Sequence, residues 1–150
     1  MSGAIKTFRD LLVWQKSMVL VTDVYKASAG FPSDERFGLT SQLRRCVVSI
    51  PSNIAEGFGR DTTNDYLRFL GIAKGSLYEA QTQLEIGRNL QFVEDSRFNT
   101  LLEQAREIER MLTSMIRKLR EKEGQSGKGA KGLKEEQSGR GAKWQSEGEA

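Results

Sequence analysis

In two stretches of this chain the apolar residues recur at alternating steps of four and three. Tyr66, Leu70, Ala73, Leu77, Ala80 and Leu84 do so in one, and Leu101, Ala105, Ile108, Leu112, Met115 and Leu119 in the other. A repeat of about 3.5 residues lays one apolar seam along an α-helix and selects near-parallel helix packing at about 20°. A further stretch, Leu39, Leu43, Cys46 and Ile50, keeps the rhythm and resumes at Ile54 after Pro51. No stretch alternates apolar and polar side chains as a half-buried strand would. The chain is therefore expected to be all-α.

Punctuation divides it into four helices. The first is expected over about Asp10 to Ala29, stopped by Gly30-Phe31-Pro32. The second follows the capping cluster Ser33-Asp34-Glu35 and runs to Gly57, read as its C-cap. The third starts at Thr63 or Asn64 and ends near Leu90; the fourth starts at Asp95 or Ser96 and reaches about Glu123. A chain of 150 residues has room for one core, and short connections make successive helices antiparallel. The expected fold is an antiparallel up-down-up-down four-helix bundle over residues 1–123.

Two local features strain that pattern. A proline inside a helix costs about 3 kcal/mol, so the second helix either kinks at Pro51 or breaks and restarts at Ser52-Asn53. Ile50 and Ile54 keep one apolar face across the proline, which favours the kink. Gly71 and Gly75 each cost about 1 kcal/mol relative to alanine. Close approach of a neighbouring helix would offset this; the alternative is a pair of tolerated surface glycines.

After Glu123 the composition changes. Residues 124–150 hold 7 of the 15 glycines, and Lys122–Leu133 matches Lys134–Gln145 at 8 of 12 positions. Such a Gly/Lys/Glu-rich segment cannot bury enough surface to offset its ordering entropy, so a disordered C-terminal tail is expected. Its five basic and four acidic side chains leave a net +1, too balanced for a strong nucleic-acid arm.

Several function classes fall away. Histidine is absent and Cys46 is the one cysteine, which removes Ser-His-Asp and Cys-His pairs, the usual zinc sets and any internal disulfide. Cys46 sits in Cys46-Val47-Val48, where a small buried thiol is expected. Gly57-Phe58-Gly59-Arg60 lacks both the preceding strand and the Gly-Lys-Ser/Thr ending of a phosphate loop. No catalytic residue, metal ligand or cofactor is expected, and the chain is not expected to be an enzyme. No apolar run approaches 18 residues. Leu11 to Trp14, followed by Gln15 and Lys16, is too short for a signal core, so a cytoplasmic location is expected.

What remains is surface chemistry. A formal charge of +3 and a pI near 9.1 permit binding to phosphate polymers. Most basic residues on the fourth helix have Glu neighbours at three or four residues, as in Glu103-Glu107-Arg110, and read as surface pairs. Arg44, Arg45 and Arg60 have fewer acidic neighbours; with Arg68 and Lys74 they are the candidate phosphate contacts. Gln42, Arg45, Ser49, Ser52 and Glu56 form a polar stripe on the second helix, with Asn53 beside it. That stripe is either a solvated face or, with Ser76 and Glu79, a hydrogen-bonded network to a partner helix or subunit. Trp14 is the candidate anchor for a protein partner.

Phe8-Arg-Asp-Leu-Leu-Val-Trp-Gln-Lys16, Phe31-Pro32, Glu35-Arg-Phe-Gly-Leu39, Ser41-Gln-Leu-Arg-Arg45 and above all Ser49-Ile-Pro-Ser-Asn-Ile-Ala-Glu-Gly57 carry a resemblance. So do Gly59-Arg60, Phe69-Leu70 and Ala73-Lys-Gly-Ser-Leu77 with Glu79. Over roughly residues 6 to 120 the chain resembles the S23-type four-helix-bundle proteins encoded within ribosomal RNA intervening sequences. That broad family includes the accessory variability proteins of diversity-generating retroelements. The resemblance implies an up-down bundle assembled into a ring, usually a pentamer. In the retroelement branch it also implies binding to nucleic acid and to a reverse transcriptase. Two functions compete: an oligomeric accessory protein contacting RNA or DNA phosphates, and a structural or protein-interaction scaffold that binds no nucleic acid.

Overall fold

A computed structural model describes residues 3–125. It contains four helices: α1 (Leu12–Ser28), α2 (Leu39–Phe58), α3 (Thr63–Asn89) and α4 (Asp95–Gln125), with short 3-10 turns at Phe8–Asp10 and Ser33–Glu35. No strand occurs among the described residues. Each helix packs on its neighbours in sequence and α1 closes against α4, which gives the up-down-up-down bundle. The repeated sequence beyond Gln125 lies outside the described residues, although Gly124 and Gln125 still belong to α4.

The alternating apolar positions fill the centre. Leu43, Ile50 and Ile54 of α2, Leu70, Leu77 and Leu84 of α3, and Leu101, Ile108 and Leu112 of α4 are fully buried, with Leu20 and Val24 of α1. Late in α4 the line shifts: Ile116 takes the buried place, while Met115 and Leu119 pack at its margin. A straight helix has 3.6 residues per turn and drifts by about 20° per heptad against a 3.5 repeat, so the buried line moves by one position.

The helix ends differ from expectation in instructive ways. Asp10 belongs to a 3-10 turn, where its carboxylate accepts the Lys6 and Thr7 N–H groups at 2.9 and 3.0 Å; these bonds hold its pKa below the ordinary carboxylate value. Ser33-Asp34-Glu35 does not cap α2 directly. It forms its own turn, and the Glu35 carboxylate reaches forward to accept the Leu39 N–H at 2.9 Å. Thr62 caps α3 by accepting the Asp65 N–H at 3.1 Å. At the other end of α3, Gln91 adopts a left-handed φ of 62° and the Phe92 N–H donates to the Gly87 carbonyl at 2.8 Å. That is a Schellman closure, sealed by Phe92 against Phe31.

α2 passes through Pro51 without a break, so Ser52-Asn53 starts no new helix. Gly57 lies inside α2, not at its cap, and is buried where α2 meets α3; Gly59 is the C-cap. Gly71 and Gly75 are the reverse case. A β-carbon on either would meet nothing within 4 Å, so they do not serve close helix approach within the bundle.

Candidate nucleic-acid interface

The five candidate cations fall into separate groups. Arg44 is drawn onto α1: its Nε donates to Ser28 Oγ at 2.9 Å, one terminal nitrogen donates to the Tyr25 carbonyl at 3.3 Å, and its guanidinium lies 4.6 Å from the Tyr25 ring centroid. These contacts satisfy the last turn of α1, where unpaired carbonyls and the helix dipole favour a cation. Arg45, one residue on, is exposed. Arg60 and Arg68 sit at the opposite end of α2, about 24 Å away at 1.5 Å per residue. Both guanidiniums lie on the Phe69 ring, at 4.7 and 4.6 Å from its centroid. Arg60 also pairs with Glu56 at 2.8 Å, and Arg68 lies 3.9 Å from Asp65. Lys74 faces α4, its Nζ 5.9 Å from the Tyr78 ring.

The cations of α4 are more open than its sequence suggests. Its carboxylates turn to the flanking helices: Glu107 to Lys16 of α1 at 2.8 Å, and Glu109 to Gln81 of α3 at 3.2 Å. Arg110 keeps one partner, Glu103, at 3.3 Å. Arg106, Arg117, Lys118 and Arg120 are exposed and make no ion pair among the described residues. Neighbours three or four apart on a helix reach each other only if no adjacent helix offers a better partner. A sequence reading limited to i±3 and i±4 pairs therefore missed these side chains.

The polar stripe of α2 divides. Ser49 Oγ lies 2.9 Å from Ser76 Oγ, and Asn53 Nδ2 donates to both the Ser49 carbonyl and its hydroxyl at 2.8 and 2.9 Å. One turn away, the Cys46 thiol donates to the Glu79 carboxylate at 3.2 Å. Burial, reinforced by that carboxylate, pushes the thiol up to about 12. The thiol is protonated and poorly nucleophilic at neutral pH. Ser52 bonds only to its own helix, at the Val48 carbonyl, and Gln42 is exposed. The structure thus brings Ser49, Asn53, Ser76 and Glu79 into one α2–α3 seam and leaves Gln42, Ser52 and Glu56 on the solvent side.

Trp14 is half-buried and stands edge-on to Phe8, with ring centroids 5.2 Å apart. α1 also exposes Leu12, Met18, Val19 and Tyr25. Among the described residues no cluster of His, Cys, Asp and Glu could hold a metal ion, and no helix is long and apolar enough to cross a membrane.

A family model described as 23S rRNA-intervening sequence protein matches residues 9–114. Among solved structures, the chain is similar to a Bacteroides thetaiotaomicron protein with unknown function from the S23 ribosomal protein family. The TM-score is 0.64 at 23% identity, over 70% of this chain and 98% of that one. That likeness bears on the fold. No curated protein matches.

Proposed function

The chain belongs to the 23S rRNA-intervening sequence protein family, and from that premise we propose that it is a non-catalytic accessory protein that binds RNA or DNA through backbone phosphates. The observation that carries this reading is the pair Arg60 and Arg68 on the ring of Phe69. Stacking on an aromatic face holds a guanidinium extended while its edge donors stay available. The competing carboxylates, Glu56 and Asp65, offer only solvent-exposed ion pairs, each worth about 0–1 kcal/mol. A phosphate accepting two N–H bonds from one guanidinium is the stronger partner.

The test is fluorescence anisotropy of the full chain with structured RNA and with duplex DNA, at low and near-physiological salt, beside a version ending at Glu123. Binding that weakens steeply with salt and persists in the shortened chain is expected. Loss on shortening would move the activity to the C-terminal segment, and no binding even at low salt would sink the reading.

The exposed apolar arc of α1 favours a second property, self-assembly. Lys16 and Asp23 of α1 both turn to α4, leaving Leu12, Met18, Val19 and Tyr25 as the larger part of its outer surface. A helix apolar around most of its circumference belongs in an interior. The family resemblance adds a ring of five copies and, in its retroelement branch, a reverse transcriptase as partner. Light scattering should return a multiple of the 16.8 kDa chain mass, and Met18→Asp with Val19→Asp should reduce it to one. A monomer in the unsubstituted protein would leave the arc to a different partner and favour the scaffold reading.

A further inference from the structure

One surface carries more bases than acids, for a reason visible only when two helices are laid side by side. From Tyr66 to Tyr78, α3 contains no Asp or Glu, and from Arg110 to Arg120 neither does α4. The Gln81–Glu109 hydrogen bond sets the register of this antiparallel pair. Counting away from it, Arg117 stands level with Ala73 and Arg120 with Leu70. The two acid-free stretches therefore run beside each other over residues 70–78 and 112–120, with Lys74, Arg117 and Arg120 along them, whereas Arg68 lies on Phe69 toward α2.

The space between these cations is open. Arg117 and Arg120 are exposed, Lys74 is half-buried, and Gly71 and Gly75 of α3 put no side chain into the surface. At one end stands Tyr78, 44% exposed. Partial burial and the neighbouring Glu109, which its hydroxyl contacts, raise its pKa. The phenol is thus neutral and anchored by its oxygen, with its ring toward solvent. From Leu70, level with Arg120, to Tyr78 the track is about 12 Å long, at 1.5 Å per residue.

We propose that this α3–α4 seam holds a single strand of nucleic acid, its phosphates on Lys74, Arg117 and Arg120 and one base stacked on Tyr78. The inference rests on the nucleic-acid reading above and adds the surface and the strandedness. Charge complementarity selects a polyanion. The exposed aromatic ring at the end of the cationic track selects an unpaired base, because a duplex hides its base faces and a single strand presents them. Phosphate contacts and a stacked base carry little sequence information, so sequence preference is weak.

The experiment is fluorescence anisotropy of the full chain with a labelled 12-nucleotide single-stranded RNA of mixed sequence, and with the same RNA as a duplex, across a salt series. The double substitution Arg117→Glu with Arg120→Glu should weaken single-strand binding at least about tenfold. It should also make the dependence of log affinity on log salt shallower by about 1.4, two single-strand phosphate contacts. Lys26→Glu with Arg97→Glu, the same net charge change at the other end of the bundle, should cost no more than about threefold. Tyr78→Ala should lose about tenfold with an unchanged salt slope, as a stacking contact does. Circular dichroism of each variant controls for folding.

If the unsubstituted chain binds and the two double variants weaken it equally, the surface assignment is wrong while the nucleic-acid reading stands. Duplex binding as tight as single-strand binding overturns the strandedness. If the unsubstituted chain binds neither polymer, the inference falls together with the reading it rests on.

Discussion

Gly57 faces Phe69 so closely that a β-carbon built on it would stand 2.7 Å from the Phe69 Cβ and 3.0 Å from a Tyr66 ring carbon. The near atom belongs to the stem of a buried side chain, which cannot swing aside. Overpacking of this kind costs about 1–3 kcal/mol, more than the helix propensity that alanine brings. Gly57→Ala is therefore expected to lower stability by about 1–2 kcal/mol in urea unfolding. Gly71→Ala and Gly75→Ala, which meet open space, should each raise it by up to about 1 kcal/mol. A neutral or stabilising Gly57→Ala would mean that α2 and α3 are not held this close.

Gln91 closes α3 with a left-handed φ of 62°. For a residue with a Cβ that conformation costs about 1–2 kcal/mol, and glycine occupies it freely. Gln91→Gly should raise the unfolding midpoint by an amount corresponding to about 1 kcal/mol, with the Phe92-to-Gly87 bond retained.

Cys46 gives the fold a pH dependence of known sign. Its thiol is raised in the folded chain from an ordinary 9.0 to about 12, by burial first and by Glu79 second. The folded state thus keeps a proton that the unfolded state releases near pH 9. Its contribution to stability is complete below pH 9 and declines as pH rises from 9 towards 12. Urea midpoints at pH 8 and pH 11 should fall less in Cys46→Ala than in the unsubstituted chain. That comparison separates the thiol from Tyr66 and Tyr78, whose pKa values are also raised. Iodoacetamide should modify Cys46 slowly at pH 8 until the chain unfolds.

Ser49 and Ser76 share one hydrogen bond across α2 and α3, with Asn53 behind it. A double-mutant cycle of Ser49→Ala and Ser76→Ala should show a coupling of about 0.5–1.5 kcal/mol, the usual worth of a neutral hydrogen bond. Additive losses would show that the two hydroxyls are satisfied independently.

The bundle was legible in the sequence because a 3.5-residue repeat has few other readings: Leu70, Leu77 and Leu84 lie where their spacing puts them. Ile116 was not, since helical drift accumulates only over the full length of α4. Gly57 could not be told from a C-cap, because its reason is the stem of Phe69, 12 positions later in the chain. The candidate phosphate contacts show the same limit. Arg44 looks unpartnered among its sequence neighbours and is taken up by the end of α1. Arg117, with Glu121 four residues on, reads as a surface pair and makes no ion pair among the described residues. Spacing reports what one helix can do for itself; which acid answers which base depends on the helix alongside.

α4 runs on past the start of α1. With Lys16 against Glu107 and Asp23 against Gln104, the beginning of α1 is level with about Leu112. The last 13 residues of α4 therefore extend about 20 Å further. Gln125 comes level with Asp65, at the end of the bundle that carries Arg60 and Arg68. The end of α4 thus stands beside the basic seam. A weak contact made there acts at an effective concentration set by the attachment and not by the solution. A segment joined there adds avidity to a strand already held by the bundle, so cutting the chain after Glu123 should weaken binding by a factor without abolishing it.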